Sequence, residues 1–219
     1  MNVQGGKSSP GRPNVILADD HAILLEALQK LIEPQCNVVG KVTDGRALLE
    51  TAPKLNPDVI ILDIGMPLLN GLEAARRLKE KMPQVKVIVL TMNEDPDVAA
   101  EAVAAGVSGY VLKTAAASEL LGAIRSVLKG NRYITPKIAK GLEDSFIRDP
   151  WHKVHEKELT PRQREVLQLL AEGRTMKEIA DILHMTARTV AFHKYRMMDV
   201  LGLKTTAELV QFAIKHHMV

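Results

Sequence analysis

Five short apolar runs separated by helical patterns govern what residues 13 to 130 can become. Val15-Ile16-Leu17-Ala18, a segment opening on Val38-Val39, Val59 to Leu62, Val85 to Leu90 and Tyr110-Val111-Leu112 each read as a strand covered on both faces. Helices are predicted at about residues 21 to 33, 44 to 52, 70 to 82, 96 to 105 and 116 to 129, with Pro96 after Asp95 suited to a first helical turn. Five βα units in succession imply an α/β domain with a parallel five-stranded sheet and right-handed crossovers, layered between helices.

Four of these runs stop at residues that carry chemistry: Asp19-Asp20, Asp63, Thr91 and Lys113. In a parallel sheet those ends share one edge, where open α/β sheets place ligands. Ile64-Gly65-Met66-Pro67 turns the chain directly after Asp63. Taken singly, each residue suits a cap or a turn equally well. Taken together, three clustered carboxylates beside a single lysine repel one another at low dielectric and call for a hard divalent ion with oxygen ligands, Mg²⁺ above all. Asp63 can then act as a nucleophile toward a phosphoryl group, with the Thr91 hydroxyl and the Lys113 ammonium stabilising the added charge.

The chain has 219 residues, enough for two domains with separate cores. Its charge is uneven: residues 1 to 130 carry 14 basic and 15 acidic side chains, residues 131 to 219 carry 15 and 11. The basic second part suggests an anionic partner such as nucleic acid. Cys36 is the only cysteine, which excludes an intrachain disulfide and a cysteine-based zinc site and fits a cytoplasmic protein. It reads as a small buried hydrophobe. No apolar run approaches the roughly 18 residues of a membrane span, and Met1 to Arg12 lacks the apolar core of a signal peptide. Residues 1–12 are expected to be a disordered extension. Residues 131–158 read as a linker with a possible short helix near Lys137 to Phe146, broken at Arg148-Asp149-Pro150. Within it His152, His155 and Glu156 read as solvated rather than metal-binding, and Trp151 as a docking side chain.

Residues 159–219 read as an all-α domain. Thr160 with Gln163, Thr175 with Glu178 and Thr205 with Glu208 each have the spacing of a capping box. Thr186 opens a further helix, giving four at about 161 to 171, 176 to 183, 187 to 201 and 206 to 216. Two short helices with a tight turn in the basic part of the chain describe a helix-turn-helix. On the third helix Val190, Lys194, Met197 and Leu201 share one face. Arg188, Phe192 and Tyr195 share the opposite one, flanked by Ala191 and Arg196. Exposed aromatics among arginines suit a DNA groove, with a protein-binding face as the alternative.

Residues 13 to 130 resemble the receiver domain of a two-component response regulator. The resemblance implies that Asp19, Asp20, Asp63 and the Gly65 carbonyl bind Mg²⁺, and that Asp63 accepts a phosphoryl group from a sensor histidine kinase. It further implies that Thr91 and Lys113 contact that group and that Tyr110 is the switch aromatic. Thr114 departs from the proline common after this lysine, and the isomer of the Lys113-Thr114 bond stays open. Leu159-Thr160-Pro161-Arg162-Gln163-Arg164-Glu165-Val166-Leu167, Lys177-Glu178-Ile179-Ala180 and Thr189-Val190 with His193 resemble the DNA-binding domain of the LuxR (NarL/FixJ) transcription factors. Met176, Ala191 and Lys194 depart from that pattern, which moves the expected base contacts to Arg188, Phe192, Tyr195 and Arg196, beside Ala191, with Lys177 and Thr189 on phosphates. On the last helix Leu209, Phe212, Ala213 and His216 form a stripe expected to pair two copies in a homodimer. The implied protein is a phosphorylation-controlled transcription factor that binds double-stranded DNA, not an enzyme beyond its own modification. A Mg²⁺-dependent phosphatase and a protein adaptor are the rival readings.

Overall fold

The structure, a computed structural model, describes residues 11–115, 117–141, 159–216 and 218. The chain divides into two compact units, one within residues 1–146 and one within 147–219.

In the first unit β1 (Asn14–Ala18), β2 (Asn37–Val42), β3 (Val59–Leu62), β4 (Lys86–Thr91) and β5 (Gly109–Leu112) alternate with α1 (Ala22–Ile32), α2 (Gly45–Leu55), α3 (Gly71–Lys81), α4 (Pro96–Ala104) and α5 (Ala117–Leu128). All strand pairs are parallel, in the order β2-β1-β3-β4-β5-β6. The sheet therefore has six strands, not five: β6 (Tyr133–Ile134) pairs with Gly109 and Tyr110 of β5. Residues 136–141 continue as helix, so the segment read as the start of a linker belongs to this unit.

Alternating residues of each strand feed two cores. Ile16, Ile60, Leu62, Val87 and Val89 pack with Leu48, Leu78, Val98 and Ala102 of α2, α3 and α4. Val15, Leu17, Val59, Ile61 and Ile88 pack with Leu25, Leu28 and Ile32 of α1 and Leu120 and Ile124 of α5, and Cys36 lies in this second cluster. Each such aliphatic side chain contributes about 1.5–3 kcal/mol by leaving water. Because both faces are covered, every residue of β3 is buried, which is why its sequence has no polar alternation. Helix α2 runs past Pro53 to Leu55 and closes on Asn56 in a left-handed conformation (φ 41°). A proline in the last turn therefore does not stop it where the sequence suggested.

The second unit contains α6 (Pro161–Ala171), α7 (Met176–Leu183), α8 (Ala187–Leu201) and α9 (Thr206–Lys215). All three capping boxes form, and Thr186 caps α8 through the Thr189 amide. Val166, Leu167, Leu169, Ile179, Leu183, Val190 and Met197 are fully or nearly fully buried. Leu209 and Ala213 are completely buried as well, in this unit, where α9 packs on α6. This corrects the expected dimer stripe: two of its four residues hold α9 in its own unit and offer no surface. Phe212 and His216, stacked with ring centroids 4.2 Å apart, form the flank that remains partly exposed. Lys194 is buried on the inner face of α8. Its ammonium lies 3.4 Å from Thr206 Oγ1 and 4.6 Å from the centre of the Tyr195 ring.

Candidate functional site

The ends of β1 and β3 are tied together by the Asp63 amide, which donates to Ala18 O at 2.9 Å. The sheet order reverses around β1, so the edge beyond β1 and β3 forms a crevice into which both strands deliver their last residues. Asp19, Asp63 and Thr91 are all buried there. The Lys113 amide donates to Thr91 O at 2.8 Å, bringing the end of β5 alongside that of β4. Lys113 Nζ spans the crevice, 2.7 Å from Asp19 Oδ2 and 3.1 Å from Asp63 Oδ2.

Burial pushes the Asp63 carboxyl above its usual range, opposed by the Lys113 ammonium and reinforced by the Asp19 charge. Burial alone would lower Lys113, but its bonds to Asp19 and Asp63 outweigh that and raise it. One ammonium thus bridges two buried carboxylates, with Asp20 next to Asp19 adding a third negative charge at the crevice, and the residual charge suits a dication. Asp19, Asp20 and His21 each offer a ligand atom within 4.8 Å of the others. Two hard carboxylate oxygens with an exposed flank fit Mg²⁺. Gly65 is exposed beside Asp63, where a Cβ would sit 3.6 Å from Asp63 Oδ2.

Tyr110 is completely buried, and its hydroxyl donates to Asn93 O at 2.9 Å. Burial, then the charges of Asp95 and Asp63, hold its phenol well above the ordinary range. The Asn93 amide in turn donates to Thr91 Oγ1 at 3.1 Å. Thr91, Asn93 and Tyr110 are thus one connected set. The Lys113–Thr114 bond is trans.

On α8, Phe192 and Tyr195 are 64% and 57% exposed, with Arg188 and Arg196 also exposed and Ala191 half-buried. Lys177 is exposed in the first turn of α7. Thr189 lies in the first turn of α8, its hydroxyl 2.9 Å from that of Thr186. Among the described residues Lys177, Arg188 and Arg196 form no ion pair. Trp151, His152, His155 and Glu156 lie outside the described residues, as do residues 1–10.

Residues 15–125 match the model of the response regulator receiver domain, and residues 157–213 match that of bacterial regulatory proteins of the luxR family. The oxygen regulatory protein NreC of Staphylococcus carnosus is 32% identical over 213 residues, covering 94% of this chain and 98% of that protein. The response regulator GacA of Pseudomonas aeruginosa is 32% identical over 207 residues, covering 94% and 97%. The chain is a NarL/FixJ-family response regulator. Among solved structures it is similar to RcsB from Salmonella enterica serovar Typhimurium bound to the promoter P1flhDC with the phosphomimetic BeF3⁻. That match has 31% identity and TM-score 0.61 over 95% of this chain and 98% of the other. Response regulators of this family join a receiver to a LuxR-type DNA-binding domain and regulate transcription.

Sequence reasoning missed three residues at the receiver site of this response regulator. The His21 amide and Nδ1 lie 2.9 and 3.1 Å from Asp19 Oδ1, and Nδ1 lies 2.8 Å from Asp20 Oδ1. Asn93 joins Thr91 and Tyr110 through its backbone, while its Oδ1 accepts from the Asp95 amide at 2.8 Å. Gly71, at the start of α3, sits so close to Asp63 that a Cβ would fall 2.0 Å from Asp63 O. A glycine directly after an N-cap was the available signal for it.

Proposed function

We propose that Asp63 accepts a phosphoryl group from a sensor histidine kinase and that this modification controls DNA binding by the C-terminal unit. The observation that carries the reading is Lys113 Nζ held between Asp19 and Asp63 at the end of the central strands. A carboxylate oxygen of Asp63 attacks phosphorus, and a P–O bond forms as the P–N bond of a phosphohistidine protonated on its other ring nitrogen breaks, so the electron pair stays on nitrogen and neutral imidazole leaves. Lys113 and the Thr91 hydroxyl stabilise charge on the transferred group. Asp19, Asp20, Asp63 and the Gly65 carbonyl would hold Mg²⁺, which supplies charge neutralisation for the attack. Incubating the chain with acetyl phosphate and Mg²⁺ tests this: the peptide containing Asp63 gains one phosphoryl group, and a chelator prevents the gain. Modification elsewhere overturns the assignment. The setting proposed is cytoplasmic; no described helix is long and apolar enough to cross a membrane.

For DNA binding, exposure of Phe192 and Tyr195 between arginines supports α8 as the element that enters the major groove. Arg188→Ala and Tyr195→Ala are each expected to cost about 1–3 kcal/mol of affinity and to relax the choice of base at one position. Lys177→Ala is expected to weaken all duplexes alike and to lower the salt slope by about one. Binding measured on a duplex enriched from a random pool, across salt concentrations, separates these outcomes. Unchanged binding in the α8 variants would overturn α8 as the groove element, and a parent chain that binds no duplex would favour the adaptor reading.

Pairing of two copies is proposed through the surface flank of α9. One structure of RcsB holds two dimers bound to two parallel DNAs, which supports a dimeric reading here. Phe212→Glu places a charge on the flank without touching buried Leu209 or Ala213. It is expected to weaken binding to two half-sites about 10 base pairs apart far more than to a single half-site. Equal losses on both duplexes, with circular dichroism unchanged, would mean that Phe212 serves its own unit instead.

A further inference from the structure

We propose that residues 133–141 are an output arm that docks on the receiver in the phosphorylated state and transmits that state toward the DNA-binding unit. This rests on Asp63 being the acceptor. Three separate attachments hold the arm to the Thr91–Asn93–Tyr110 set or to the loop that follows it.

The first is along the sheet. The Tyr133 amide donates to Ser108 O at 3.0 Å and the Thr135 amide to Tyr110 O at 2.9 Å, so β6 is hydrogen-bonded to the backbone of the switch aromatic itself. Buried Thr135 then locks the register. Its hydroxyl accepts from the Leu112 amide at 3.3 Å and donates to Glu119 Oε1 at 2.6 Å. The second attachment is apolar: Ile138 is 1% exposed and shares a core cluster with Tyr110, Val98, Ala99 and Ala102. The third is to the loop between β4 and α4. Lys137 pairs with Glu94, and a Cβ at Gly141 would lie 2.6 Å from Pro96 Cγ. Glu94 and Pro96 flank Asp95, the N-cap of α4, and directly follow Asn93, which binds both Thr91 Oγ1 and the Tyr110 hydroxyl.

A two-residue strand such as β6 is not stable alone and takes its order from the receiver surface on which it and residues 136–141 pack. Their order depends on Tyr110 lying inward and on the loop after Thr91 keeping its path, both of which hold in this structure. A phosphoryl group that draws Thr91 inward favours that arrangement over one with Tyr110 outward, and the arm follows as a two-state element.

The test uses the full chain with acetyl phosphate and Mg²⁺. Phosphorylation is expected to slow hydrogen exchange at the Thr135, Ile138 and Ala139 amides about tenfold, a usual size for such coupling. Ile138→Ala is expected to remove this slowing and to reduce the phosphorylation-dependent gain in affinity for an enriched duplex about tenfold, while Asp63 takes up phosphate as before. Lys137→Glu, a surface change that leaves the core alone, is expected to weaken the same gain, and adding Glu94→Lys is expected to restore it. Modified Asp63 with unchanged exchange in the arm would overturn the arm alone. A wild-type affinity gain that survives Ile138→Ala would also overturn it. Absence of phosphate on Asp63 would instead overturn the acceptor reading on which the arm depends.

Discussion

Asp63→Asn is expected to abolish stable phosphoryl uptake while leaving the receiver at least as stable as the parent. Asn keeps the shape of Asp but its amide offers no carboxylate nucleophile, so the mass gain with acetyl phosphate should disappear. The stability expectation follows from the same burial that shapes the site. The folded-state value of Asp63 lies above its ordinary one, chiefly because the carboxyl is buried, with Asp19 adding to the rise. A carboxyl raised in this way binds its proton more tightly folded than unfolded, so its contribution favours folding as pH falls through the folded value and opposes folding above it. At neutral pH and without divalent ions, an uncharged Asn removes that opposition. Lys113 retains its 2.7 Å contact with Asp19, so the ammonium is not orphaned. Urea denaturation in chelator should therefore give a midpoint no lower than wild type, alongside lost phosphorylation. Asp20→Asn separates metal from nucleophile: it should still be modified, but only at higher Mg²⁺. Normal incorporation in Asp63→Asn would refute the acceptor assignment.

Much of this was legible in the sequence because the residues concerned sit where local rules are strong. Val59 to Leu62 could only be a strand covered on both faces, and an acid directly after it had to lie at the sheet edge. Thr160, Thr175 and Thr205 announced helix starts through side-chain spacing alone, and each box formed. Other features had no such signal. The strand at Tyr133 and Ile134 is too short for any periodicity and exists because β5 presents an open edge beside it. The stripe containing Leu209 and Ala213 was visible as apolar, but a helical wheel cannot say whether an apolar face meets its own unit or a second copy. Packing on α6 resolves two of its residues inward. Asn93 reaches Thr91 and Tyr110 through backbone atoms, while its side chain is spent on the Asp95 amide at 2.8 Å, so its side-chain type did not point to that role.

Gly71→Ala is expected to be among the most damaging single-methyl changes in the receiver, comparable with Gly45→Ala, whose Cβ would lie 2.1 Å from Leu69 O. The Cβ added at Gly71 would lie 2.0 Å from Asp63 O and 2.4 Å from Leu62 Cδ1. The leucine can rotate, but the carbonyl is that of Asp63 itself and cannot yield without moving that residue. Gly71 is also held in place by its own amide, which donates to Ile64 O at 2.9 Å. Relief therefore requires α3 and the end of β3 to part, at a cost of about 3 kcal/mol or more, the upper range for overpacking. Gly122 provides the contrast. It lies within α5, nothing stands within 4 Å of a Cβ built there, and Gly122→Ala should stabilise by about 0.5–1 kcal/mol through helix propensity. Urea midpoints of the two variants should thus move in opposite directions. The fraction of Gly71→Ala that stays folded should also take up phosphate slowly, because its acceptor is displaced from Lys113. A Gly71→Ala midpoint equal to wild type would show that the strand end can shift freely, and the rigid placement of Asp63 argued from that contact would then fall.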